Sequence, residues 1–99
     1  MDTLEWLQKW YLSQCDCDWE HSYGVHIETL DNPGWRISVD LQDTDLEGEP
    51  FDAVKIDRTE HDWLRCWINE STFEGACGPE NLHEALNVFR QWVDSVAQA

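Results

Sequence analysis

Basic residues are scarce in this chain: six Lys plus Arg stand against twenty-one Asp plus Glu over 99 residues, a formal charge of −15. Protonating all four histidines leaves −15 + 4 = −11, so the chain is acidic at any physiological pH. Such a field repels nucleic acid and anionic membrane and speeds encounter with basic proteins. Long apolar runs are also missing. No window approaches the ~18 consecutive apolar residues of a spanning helix, and the N-terminus has no basic stretch followed by an apolar core. The expectation is a soluble, cytoplasmic chain with no membrane partner and no direct nucleic-acid partner. No glycine-rich phosphate loop, internal repeat or Pro/Gly/Ser linker occurs, and the length fits a single domain over residues 1–99.

Cysteine is present without a framework. Cys15, Cys17, Cys66 and Cys77 could formally make two disulfides, but nothing marks the chain for secretion, and seven tryptophans supply core volume without staples. Cys15 and Cys17 are one residue apart, closer than the usual pairs of a structural zinc site, and no second matched pair follows. Asp16, Asp18 and Glu20 alternate like the acids of a calcium loop, yet the glycine and distal glutamate of that loop are missing at their spacing. Cys15 or Cys17 with His21 lacks an orienting third group for nucleophilic catalysis. Asp57, Glu60 and Asp62 select no hydrolytic mechanism in a chain so rich in acids. The reading is no enzyme, no cofactor and no metal.

What is present is amphipathic order. Asp2 and Glu5 form a capping-box pattern, after which Leu4, Trp6, Leu7, Trp10 and Tyr11 share a helical arc, predicting a helix from about Thr3 to Gln14. Asn81 and Glu84 repeat the pattern behind Pro79. Leu82, Ala85, Leu86, Phe89, Trp92, Val93 and Val96 then form a continuous apolar face of a C-terminal helix. Between the helices the period falls to two. "GVHIETL" and "WRISVDL" joined by "DNPG" read as a hairpin, "DAVKID" and "WLRCWIN" as two further strands, and "TFEGA" as a possible short fifth. The predicted fold is α+β: N-terminal helix, four- to five-stranded mostly antiparallel sheet, C-terminal helix, both helices on one face.

That arrangement sends Val25, Ile27, Ile37, Val39, Leu64, Cys66 and Ile68 to the core. His26, Glu28, Arg36, Ser38, Asp40, Lys55, Trp63, Arg65 and Trp67 go to the opposite face, where a one-residue slip would exchange the two sets. Trp63 and Trp67 flanking Arg65 have the composition of an interface anchor, with cross-strand packing or cover by the Trp19–Tyr23 segment as the alternative. "QDTDLEGEP" is an acidic loop.

The run "WLQKWYLSQCDCDWEHSYGVHIETLDNPGW" followed by "GPENLHEALNVFRQW" resembles the immunity protein 53 family of bacterial polymorphic toxin systems, most specifically in "CD-x-DWEHSYG", "TLDNPGW" and "GP-x-NL". In the family pattern glycine is commoner where this chain has Cys17, and a second glycine often stands at Cys77. The resemblance implies a cytoplasmic protein that binds and neutralises a cognate toxin, expected to be basic and of nuclease type. The family pattern assigns no contact residues. Charge and exposure point to Asp43, Asp45, Glu47 and Glu49 first, to Asp16, Asp18, Trp19 and Glu20 as a second patch, and to Trp63 and Trp67 as aromatic anchors. Two other classes remain open: an acidic module or DNA mimic for another basic protein, and a metal-dependent enzyme using the 14–24 segment. The oligomeric state is not legible.

Overall fold

The computed structural model describes residues 1–98. Helix α1 (Thr3–Gln14) and the one-turn α2 (Trp19–Ser22) precede strands β1 (Val25–Leu30), β2 (Gly34–Asp40), β3 (Val54–Thr59), β4 (Asp62–Asn69) and β5 (Thr72–Cys77), and helix α3 (Leu82–Ala97) follows. The strands form one antiparallel sheet in the order β1-β2-β5-β4-β3. The short fifth strand is therefore central. It is hydrogen-bonded to β2 on one side and β4 on the other.

Period-two patterning placed the faces in their observed register. Ile37, Val39, Leu64, Cys66, Phe73 and Cys77 are almost fully buried, in one cluster with Leu7 and Trp10 of α1 and Ala85, Leu86, Phe89 and Trp92 of α3. Both long helices thus cover the same face. Phe89 sits at the centre, its ring 5.0 Å from Phe73, 5.1 Å from Trp10 and 5.8 Å from Trp6. Burial of this aromatic nest is the main source of stability, at about 25 cal/mol per Å² of apolar surface.

Two expectations about the helices need correction. Asp2 does cap α1, its Oδ1 accepting from the Glu5 backbone N–H at 2.8 Å. Leu4 and Tyr11, however, are 58% and 40% exposed. The buried arc of α1 runs through Thr3, Leu7 and Trp10, and Tyr11 follows Trp10 by ~100° around the helix, beyond the reach of α3. Ile27, assigned to the core, is also 38% exposed, because β1 is an edge strand only partly overlaid by α1. At the start of α3, Asn81 makes no side-chain cap. Its Nδ2 donates instead to Asp62 (2.9 Å) and Glu84 (3.1 Å), while Arg58 donates to the same two carboxylates. This polar knot fastens the β3–β4 turn to the first turn of α3. Hydrogen bonding to Asn81 and then Arg58 holds the Asp62 carboxyl below its usual range, and Arg58 does the same for Glu84.

Glycines in two of the recognisable motifs mark close approaches. A Cβ on Gly34 would collide with the Cys77 carbonyl, and one on Gly78 with the His61 carbonyl and Asn81 Oδ1. The same two motifs are laced together by Trp35 Nε1 donating to the Pro79 carbonyl at 3.0 Å.

Candidate functional site

The segment between α1 and β1 is ordered by two carboxylates working on backbone. Asp16 Oδ1 accepts from the N–H groups of Asp18 (3.0 Å) and Trp19 (2.9 Å), and Glu20 reaches back to those of Asp16 (3.0 Å) and Cys17 (2.9 Å). The pair is a reciprocal box that starts α2. Glu20's own backbone N–H, and then those of Asp16 and Cys17, hold its carboxyl below the ordinary range. Cys17, between Asp16 and Glu20 in the chain, lies at φ +73°, the left-handed region that favours glycine.

Trp19 has a different role from the one expected. It is 3% exposed, set edge-on to Trp10 at 6.2 Å, and donates from Nε1 to the Gln42 carbonyl at 2.9 Å. A large indole beside a tight turn is drawn into the gap between helix and loop, so Trp19 offers no surface to a partner and does not cover the open sheet face. It pins the α1–β1 segment to the acidic loop.

That loop, residues 41–53, is folded rather than trailing. Leu41 and Leu46 are buried, and Phe51 stacks edge-on against Phe73 and Trp92 at 5.4 and 5.2 Å. Trp92 Nε1 donates to the Pro50 carbonyl at 2.9 Å. The Thr44 hydroxyl bridges the Leu41 carbonyl and the Leu46 N–H. With its apolar residues turned inward, Asp43, Asp45, Glu47 and Glu49 all point into solvent.

The two acidic patches inferred separately from sequence adjoin. Asp18 and Asp43 line one small depression with Ser22 and Tyr23. Beside them, Asp45 and Glu49 line a 440 Å³ cleft with Trp10, Gln14, Val93 and Val96, from the C-terminal halves of α1 and α3. Neither helix has a basic residue in its last turn, so two negative dipole ends add to the carboxylates. The helix ends were missed as part of this pole; the missing terminal cations were the available signal. Asp16, Asp18, Asp43, Asp45, Glu47 and Glu49 are exposed, whereas Glu20 is half-buried with both oxygens engaged.

Trp63 and Trp67 stand elsewhere, half-buried on the helix-free face of the sheet. Arg65 lies 5.5 Å from the Trp63 ring and pairs with Asp57 at 2.9 Å. Arg36 lies 5.1 Å from the Trp67 ring and pairs with Glu74 at 2.7 Å. The tryptophans are thus held in a cross-strand ladder whose cations are already neutralised.

All four cysteines are free thiols. Burial pushes Cys66 up to about 12 and Cys77 up to about 11, so neither is a thiolate near neutrality. Among the described residues no group of three or more His, Cys, Asp and Glu is placed to hold a metal, and no helix is long and apolar enough to cross a membrane.

No curated protein and no solved structure matches the chain significantly. The family model described as immunity protein 53 matches residues 4–94, the span that contains most of both long helices, the whole sheet and the acidic loop, and the chain belongs to that family.

Proposed function

We propose that the protein neutralises a cognate toxin by binding it, and that the acidic pole is the surface that meets the toxin. The observation that carries this reading is the gathering of Asp18, Asp43, Asp45 and Glu49 about two adjacent depressions beside two helix C-termini, with Asp16 and Glu47 exposed on the same two segments, in a chain of the immunity protein 53 family. The partner that fits is a basic protein, and a nuclease-type toxin, whose cleft must attract phosphates, has the required charge. The pole occupies that cleft in place of nucleic acid. No catalytic step by the immunity protein is needed. The loop is pinned at Leu46 and Phe51, so its carboxylates are presented with little ordering cost on association.

The test is a quadruple neutral variant, Asp43→Asn, Asp45→Asn, Glu47→Gln and Glu49→Gln, assayed against the toxin encoded beside it. Association should slow by on the order of tenfold or more at low salt, with the unfolding midpoint retained, and protection of toxin-expressing cells should weaken. An unaltered association rate removes the pole from the interface.

A second reading rests on the helix-free face, where Trp63, Arg65, Trp67 and Arg36 have the composition of binding anchors. Trp67→Ala should then cost on the order of tenfold or more in dissociation rate, whereas under the first reading it leaves toxin binding unchanged.

A further inference from the structure

We propose that the free edge of β1 is the seat of a second copy of this chain, paired antiparallel and centred on Ile27, so that two sheets join into one of ten strands. The inference is independent of the toxin-binding reading. β1 ends the strand order, so one of its edges has no strand beside it among the described residues. Exposed apolar side chains gather at this place. Among the described residues, Met1, Leu4, Tyr11, Leu12 and Ile27 are the exposed large ones, and all lie at α1 or β1.

The edge is open on both faces. A 310 Å³ groove lined by Leu7, Gln8, Tyr11, Gly24 and Val25 runs on the helix side, and a 720 Å³ depression lined in part by His26, Glu28, Leu30 and Arg36 runs on the other. Strand addition needs both, because successive side chains of an added strand alternate between faces.

Backbone polarity sets the register. The Asp40 N–H donates to the Gly24 carbonyl, so Gly24 faces β2, and by antiparallel alternation so do His26, Glu28 and Leu30. Val25, Ile27 and Thr29 therefore present their N–H and C=O groups outward. A two-fold through Ile27 pairs Ile27 with its own copy and Val25 with the copy's Thr29, all as hydrogen-bonded pairs. His26 then falls opposite the copy's Glu28, twice, in the closer non-hydrogen-bonded positions. The strand "VHIET" is self-complementary about its middle residue, as an isologous contact requires and as a foreign strand does not. The same two-fold brings both α1 helices to one side, where their exposed apolar flanks face each other across the paired isoleucines.

The full chain should sediment at twice 11.7 kDa as concentration rises from micromolar toward millimolar in 0.15 M salt, where repulsion between two −15 molecules is screened beyond ~8 Å. Ile27→Lys, or His26→Glu, should weaken the dimer by on the order of tenfold, since symmetry counts each change twice. Adding Glu28→Lys to His26→Glu should restore it. Circular dichroism and the unfolding midpoint check that each variant folds. Amide exchange at Val25, Ile27 and Thr29 should slow with concentration, while exchange at His26 and Glu28 stays slow throughout. A monomer at every concentration overturns the proposal, as does a dimer indifferent to these substitutions. Protection of the three edge amides only when a different protein is added also overturns it.

Discussion

Cys17 is a side-chain-bearing residue held at φ +73° between two backbone N–H groups that bond carboxylates. An L-residue in this region costs about 1–2 kcal/mol relative to the right-handed conformation, a penalty glycine escapes. Glycine gives back part of that gain, about 0.4–1 kcal/mol, through the greater freedom of its unfolded chain. Asp16 and Glu20 determine the local backbone from both sides, so the replacement has no reason to rearrange it. Cys17→Gly should therefore stabilise the fold by about 0.5–1 kcal/mol, raising the melting temperature by about 2–8 °C in a domain of this size. Thermal and urea unfolding in the presence of reductant measure the shift. Cys17→Ala keeps the Cβ but removes the thiol and should melt with the parent; Cys17→Val should melt lower, because a branched side chain fits this region worse. A glycine variant no more stable than the alanine variant would refute the conformational argument.

Gly34→Ala and Gly78→Ala should each destabilise by about 1–3 kcal/mol, since the new methyl meets a carbonyl that must move, whereas Gly24→Ala, with open space around it, should be nearly silent in the same denaturant titration. The Asp62 and Glu84 carboxyls are held low in the folded state, so their contribution is present above the ordinary carboxylate range and is lost as pH falls through their folded values. Arg58→Met should accordingly move the acid-unfolding midpoint to higher pH and return the NMR titration of Glu84 toward its usual position; an unmoved midpoint would refute this. Alkylation of the native protein near pH 8 should modify Cys17 rapidly and Cys15 more slowly, with Cys66 and Cys77 reacting only on unfolding, so four labels on folded protein by mass spectrometry would contradict their burial.

The long helices, the β1–β2 hairpin and the two faces of the sheet were legible because each depends on periodicity, which survives in a single sequence. Trp63, Arg65 and Trp67 went to the correct face on parity alone. The place of β5 was not legible, since "TFEGA" carries no mark of which strands will flank it. Trp19 was misread as surface because its burial depends on the 41–53 loop folding over it, and Leu4 and Tyr11 were misread as core because an apolar arc says nothing of how far the neighbouring helix extends. Asn81 looked like a helix cap, and its amide was drawn away by two carboxylates brought near only by the tertiary fold. At the acidic pole the charges were readable, but the adjacency of Asp18 and Asp43, 25 positions apart, was not.

The central position of β5 carries a consequence for how the chain reaches this state. β1–β2 and β3–β4 are each local pairs, yet they touch one another in the sheet only through β5, which comes last of the five. A nascent chain that stops short of residue 72 holds two ribbons with nothing to join them. β5 folds back on β4 as a tight hairpin, with Asn69 opposite Thr72, so the long-range step that closes the sheet is the pairing of β5 with β2, and it comes late.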